Sequence, residues 1–163
     1  MWYDFAREQT LVAYDWSFAR FRETLVDHAD DPPDGIWAER YVYPANCLVM
    51  REIENITASG DAIPFSIEMD LAGTEKTVLT DLDEAIAIYT RKITDTTLFT
   101  PFFIMTVSYL LAHYMAMAIT GRRKDQETML GNFTALIRIA PAHDANERVE
   151  GPLREAEAIR GRA

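Results

Sequence analysis

Cysteine is nearly absent from this chain of 163 residues, in which Cys47 stands alone. A single cysteine excludes an internal disulfide and leaves no spaced set of thiol ligands for zinc, so nothing in the sequence requires an oxidising compartment. The first residues also lack a basic segment followed by an apolar one, and we therefore expect no secretory signal. The sequence has no internal repeat or low-complexity tract, which makes one domain the simplest organisation.

Basic residues are scarce as well, because 16 Lys and Arg stand against 26 Asp and Glu, for a net charge of −10. The imbalance lies almost wholly in residues 1–121, which carry −11, whereas residues 122–163 carry +1. An acidic body repels nucleic-acid phosphates, so ordinary DNA or RNA binding is not expected. The same charge suits either a soluble cytosolic protein or a surface past which DNA must slide without sticking.

Catalytic motifs are missing too. The sequence contains no Ser/His/Asp arrangement, phosphate-binding loop or dinucleotide fingerprint. His113 has no ligand partner at metal spacing, and we interpret it as a hydrogen-bonded packing residue. The acidic run in residues 27–34 lacks the oxygen ladder of a calcium loop and contains two prolines, so it predicts a solvated loop. We therefore predict no catalytic residue, no metal site, no cofactor and no enzymatic activity.

Apolar residues are abundant, at 48% of the chain, and in residues 2–27 they fall at helical spacing. One apolar stripe consists of Leu11, Tyr14, Phe18, Phe21 and Leu25. A second line of apolar residues runs beside it, which predicts a helix that makes contacts on two sides, as in a bundle or at a subunit interface. The prolines and glycine of residues 32–35 end this predicted helix.

The pattern changes to a period of two between about residues 40 and 92, and its clearest example is the alternation of Ile63, Phe65, Ile67 and Met69. Shorter runs of the same kind precede and follow it, separated by turn sequences such as residues 58–61. We predict that residues 40–92 form an antiparallel meander of short strands, inserted between helices.

A long, very apolar helix is predicted over residues 101–120. Thr100 provides an N-cap, Pro101 occupies the first helical position, and Gly121 follows the last turn. The same length would suit a membrane span. Polar residues such as Thr106 and His113 interrupt the apolar run, so we predict a packed helix of a soluble hairpin and no membrane contact.

A last helix is predicted over residues 125–140, ended or kinked by Pro141, and residues 147–163 form a tail for docking. Residues 1–146 are then a single domain. The predicted fold class is α+β: mainly an α-helical bundle with an inserted small antiparallel β-sheet and an extended C-terminal tail.

Several short motifs, in order along residues 2–140, resemble the tail tubular protein A family of phage head-to-tail connectors. The motifs are Trp16-Ser17-Phe18-Ala19-Arg20, Tyr41-x-Tyr43-Pro44-Ala45-x-Cys47-Leu48, Leu79-Thr80-Asp81, Tyr89-Thr90, Ile93-Thr94-Asp95, Phe99-x-Pro101-x-Phe103, Leu111-Ala112 and Thr120-Gly121. Each tripeptide alone is weak, and it is their joint order and spacing that carry the resemblance.

The resemblance implies a structural protein of the virion that is not an enzyme. Relatives form a homo-oligomeric ring, a dodecamer in short-tailed phages, between the portal protein and the tail or nozzle protein. The ring extends the channel through which DNA is packaged and ejected, and the DNA passes without sequence-specific binding. The implied location is the head–tail junction, with host cytoplasm as the site of assembly.

The resemblance also implies a role for two sets of residues. In relatives the C-terminal segment clasps the portal, which assigns portal docking to Arg148, Arg154, Ile159, Arg160 and Arg162. Subunit packing is assigned to Trp2, Phe5, Trp16, Phe18, Phe99 and Phe103. Two alternatives remain at this point: an adaptor of a phage-like DNA transfer particle or another oligomeric scaffold, and a small enzyme whose site is assembled at subunit interfaces.

Overall fold

Three helices and two small antiparallel sheets form the part of this α+β protein that the structure describes. The computed structural model describes residues 2–33, 35–54 and 62–145. The helices are α1 (Trp2–Ala13), α2 (Pro101–Thr120) and α3 (Arg123–Ala145). The strands are β1 (Arg20–Thr24), β2 (Glu39–Val42), β3 (Cys47–Ile53), β4 (Phe65–Met69), β5 (Lys76–Thr80) and β6 (Ile86–Arg91).

The two sheets are not the predicted meander. Their strand orders are β1-β6-β3 and β2-β5-β4, so β4 and β5 are the only consecutive strands that pair among those described. The strands in the middle, β5 and β6, are also the most deeply buried. A strand that is apolar on both faces is best covered at the centre of a sheet, and this burial explains why the order departs from the order along the chain.

The first predicted helix, over residues 2–27, is wrong in its second half. The helix α1 ends at Ala13, and residues 20–24 form β1, which pairs with β6 from Arg20↔Thr90 to Thr24↔Ile86. Phe21 packs edge-on against Tyr89 across this pair, with ring centroids 5.7 Å apart. The helical spacing of the apolar residues was real, but pairing with a distant strand overrode it.

The end of α1 is fixed by side chains from elsewhere in the chain. The Nη2 group of Arg51, on β3, donates to the carbonyl oxygens of Val12 and Tyr14 at 3.0 Å each, and to that of Leu11 at 3.4 Å. The indole N–H of Trp16 donates to the carbonyl oxygen of Thr10 at 2.8 Å. These donors satisfy carbonyls that a helix end leaves without partners, without a glycine or proline to mark the position.

The hairpin of α2 and α3 agrees with the sequence at its turn. Thr100 Oγ1 accepts from the N–H of Phe103 at 3.2 Å, and Gly121 takes the left-handed conformation with φ of 66°. The helix α3 is longer than predicted, because it passes through Pro141 and ends at Ala145. Asp144, in the turn that follows Pro141, accepts hydrogen bonds from Ser17, and this distant contact holds the helix beyond the proline although the proline removes one intrahelical hydrogen bond.

Two apolar clusters form the interior. One lies between the helices and includes Leu11, Trp16, Phe103 and Leu110, and the other lies between the sheets, around Tyr41 and Val78. The predicted tail of residues 147–163 and the predicted turn at residues 58–61 lie outside the described residues.

We predict that Arg51→Ala lowers the free energy of unfolding by about 2–3 kcal/mol, because several carbonyls at the end of α1 lose a charged donor. Arg51→Lys should recover only part of this loss, since an ammonium cannot reproduce the guanidinium fork. The measurement is denaturant unfolding. Arg22→Ala is the control, because the Arg22 pair with Glu54 is exposed and should contribute under about 1 kcal/mol. Equal losses in Arg51→Ala and Arg22→Ala would contradict this role for Arg51.

Candidate functional site

The six residues assigned to subunit packing fall into two groups. Trp16 and Phe103 are buried within the chain, and Phe18 and Phe99 pack against them. Phe103 is the centre of this group, because its ring centroid lies 5.0 Å from those of Trp16 and Phe18 and 4.8 Å from that of Phe99. These four side chains hold α2 against the segment that follows α1. Trp16 and Phe103 are core residues of the chain, and Phe18 and Phe99 are half-buried against them, so all four pack within one subunit.

Trp2 and Phe5, by contrast, lie on the surface. Their side chains are 56% and 47% exposed. Both rings contact Tyr114 of α2, with centroid distances of 5.7 Å for Trp2 and 5.3 Å for Phe5. The three aromatic residues form one continuous apolar surface across α1 and α2, which we call the aromatic patch.

The helix α2 carries further apolar side chains into solvent. It is 20 residues long, and its most apolar stretch, of which only 28% is buried, has a mean hydropathy of 1.7. By length and composition alone, it is the one helix in residues 2–33, 35–54 and 62–145 that could cross a membrane. Its exposed large side chains are Ile104, Met105, Met115, Met117 and Ile119. An apolar helix left this open in an α+β domain is typical of a surface that another molecule covers.

A cavity of about 430 Å³ lies where α2 begins and α3 ends. The His143 ring stacks on Phe102 at its rim, with ring centroids 4.1 Å apart. Asp144 is nearly buried and accepts from the backbone N–H of Ser17 at 3.0 Å and from its hydroxyl at 2.6 Å. This anchor fixes the last turn of α3.

Three titratable side chains of the sheets, Cys47, Tyr43 and Tyr89, have raised pKa values. Burial raises the pKa of the Cys47 thiol, which donates to the Tyr43 hydroxyl at 3.0 Å. Burial also raises the pKa of Tyr43, and burial together with the Glu23 carboxylate raises that of Tyr89 to about 12. A thiol with a raised pKa is protonated at neutral pH and is a poor nucleophile.

One cluster that could hold a metal ion was missed by the sequence analysis. The ligand atoms of His28, Asp30 and Asp70 lie within 4.8 Å of one another. Asp70 is forty positions from Asp30, so no local spacing could have indicated the group. His28 Nδ1 already accepts from the N–H of Asp30 at 3.0 Å, and Asp70 accepts from the N–H and hydroxyl of Thr74. A metal would have to displace the His28 bond, because that nitrogen has one lone pair.

His113 is placed as the sequence analysis interpreted it. Its Nδ1 lies 2.9 Å from the carbonyl oxygen of Gln126, across the hairpin of α2 and α3. The residues assigned to portal docking, Arg148, Arg154, Ile159, Arg160 and Arg162, lie outside the described residues.

No protein-family model matches the chain, and no curated protein sequence matches it. The candidate site is therefore described by its geometry: a solvent-exposed aromatic patch on α1 and α2, next to a buried aromatic cluster around Phe103.

We predict that the buried and the exposed aromatic residues contribute very differently to the stability of the subunit. Phe103→Ala should lower the free energy of unfolding by about 3–5 kcal/mol, because it opens a cavity in the core. Trp2→Ser should lower it by about 1 kcal/mol or less, because Trp2 is mostly exposed. Urea unfolding followed by circular dichroism measures both. A large loss in Trp2→Ser would mean that the patch supports the fold of the single subunit.

Proposed function

We propose that this protein is a structural head-to-tail adaptor of a tailed-phage virion. In this proposal its subunits form a ring between the portal protein and the tail or nozzle protein, and the ring extends the DNA channel. The observation that carries the proposal is the apolar surface of α1 and α2, because a subunit with no partner would leave it in water. The ordered motifs from Trp16 to Gly121 resemble the tail tubular protein A family, and this resemblance is the reason for proposing a head-to-tail adaptor among possible assemblies.

The aromatic patch is suited to contact between neighbouring subunits. Trp2, Phe5 and Tyr114 contribute large rigid rings, which are the side chains most enriched at the centres of protein interfaces. The neighbouring side chains of α2, such as Met117 and Ile119, extend the same apolar surface along the helix. A ring requires a contact between two different faces of the subunit, and this patch would supply one of them.

The net negative charge of the chain also supports this proposal. The chain carries −10 overall, and residues 1–121 hold the whole excess. A DNA channel conducts best when its wall does not attract phosphates, because each cationic contact would add affinity and slow the passage of DNA. An acidic subunit body meets this requirement.

The end of α3 supports a docking role for residues 147–163. Asp144 binds Ser17 near the start of β1, so the last described turn is fixed to the body of the subunit. A segment that leaves from a rigid anchor can be directed towards a partner. Residues 147–163 hold four arginines and four glutamates, so the segment has no net charge, and its arginines would act as individual ion-pair donors to carboxylates of the partner.

We expect the double change Trp2→Ser, Phe5→Ser to reduce ring assembly on purified portal while the subunit remains folded, because the ring contact loses its rigid anchors. Negative-stain microscopy and mass measurement of portal complexes report assembly, and circular dichroism reports folding. The control is Val26→Ser, Leu71→Ser, which removes two apolar residues outside the patch that are even more exposed than Trp2 and Phe5. Unchanged assembly of the patch variant would exclude this surface as the ring contact.

We further expect the change of Arg148, Arg154, Arg160 and Arg162 to Gln to weaken portal attachment at least tenfold in the full-length chain, and deletion of residues 147–163 to abolish it. The cause is the loss of charge and of the docking segment itself. Binding to immobilised portal is the measurement, with Arg22→Gln as a control for an exposed arginine of the body. Attachment of the truncated protein with normal affinity would reject the docking role.

A further inference from the structure

The outward face of α3 carries an open groove that the chain itself leaves unfilled. Its volume is about 450 Å³, and it is lined by Glu127, Leu130, Gly131, Thr134, Ala135 and Arg138. All six residues are exposed, because the opposite face of α3 is the one that packs on α2. The groove shares no residue with the aromatic patch.

Gly131 lies in the middle of α3, where glycine is unfavourable. Glycine is the poorest helix former after proline, so a helix interior keeps it at a cost in stability. No packing within the described chain accounts for it, since a Cβ built at Gly131 would meet nothing within 4 Å. What a glycine on an exposed helix face does permit is the close approach of a second backbone.

The six lining residues are arranged symmetrically about the point between Asn132 and Phe133. Glu127 and Arg138 are equally distant from it along the helix, on opposite sides. The same is true of Leu130 and Ala135, and of Gly131 and Thr134. Two copies of α3 crossing antiparallel at this point would therefore place a larger side chain against a smaller one at each inner position.

Charge is complementary in the same arrangement. Glu127 of each copy would meet Arg138 of the other, which gives two ion pairs related by the two-fold axis. Arg138 has no ion-pair partner among the described residues. Glu127 binds Arg123 of its own helix at 2.8 Å, and both side chains are largely exposed, so the carboxylate remains open to a second cation. Antiparallel helices also set opposite dipole ends side by side.

We infer that the outer face of α3 is a two-fold contact between two copies of this chain. The inference does not rest on the proposed ring, because a ring uses contacts between different faces and this contact uses the same face twice. The groove extends over residues 127–138, about 16 Å of helix at 1.5 Å per residue. Two helices that touch over this length bury less area than the about 1,200 Å² typical of a stable interface. We therefore expect a weak dimer with a dissociation constant on the order of tens of micromolar.

The deciding experiment is a charge exchange measured by sedimentation equilibrium on the full chain, from about 5 to 500 micromolar. Glu127→Arg and Arg138→Glu should each weaken dimerisation at least tenfold, because each places two pairs of like charges in contact. The combined change Glu127→Arg, Arg138→Glu should restore it to within about threefold, since both pairs re-form with reversed sign. Glu68→Arg, on β4, is the control for the change in net charge.

A second variant tests the groove itself. Gly131→Leu should fill it and abolish the dimer while the thermal stability of the subunit rises, because leucine is the better helix former. All variants are also measured in the Trp2→Ser, Phe5→Ser background, so that assembly through the aromatic patch does not mask the result. A monomeric wild-type chain at 500 micromolar, or a combined charge exchange that stays monomeric, would overturn the inference.

Discussion

The guanidinium of Arg51 is the contact on which the placement of the other elements depends. It joins the last carbonyls of α1 to the Thr90 hydroxyl on β6, at 2.9 Å from its Nε. A helix end buried without donors is costly, because its carbonyls lose water and gain nothing. Since β6 is also the centre of its sheet, one side chain joins the end of α1 to the central strand of that sheet.

This junction divides the molecule into a closed interior and an open exterior. Trp16 and Phe103 lie in the interior, where they hold α2 against the segment that follows α1. The exterior keeps Trp2 and Phe5 on one side and the groove over Gly131 on another. The titratable groups between them serve turns and buried hydrogen bonds. The exposed surfaces of α1, α2 and α3 are therefore the features on which the proposed assembly depends.

The sequence predicted the candidate site only in part. It assigned Trp2, Phe5, Trp16 and Phe103 together to packing, because all four are large aromatic residues of the predicted helices. Spacing cannot tell which partner covers a ring, and the fold covers two of these and leaves two open. The groove on α3 was not predicted, because the sequence does not show which face of α3 packs on α2 and which face stays exposed. The cluster of His28, Asp30 and Asp70 needed contact between distant loops.

Local chemistry in the sequence determined the α+β class, the strands between residues 39 and 91, and the helix from Pro101 to Thr120 with its Thr100 cap and Gly121 stop. The strands follow from the alternation of apolar and polar residues along the chain, and the helix bounds follow from one capping residue at each helix end. Tertiary structure alone decided that residues 20–24 form a strand, that α1 ends at Ala13 and that α3 passes Pro141. The reason is physical: those outcomes depend on β6, Arg51 and Ser17, which come from distant parts of the chain.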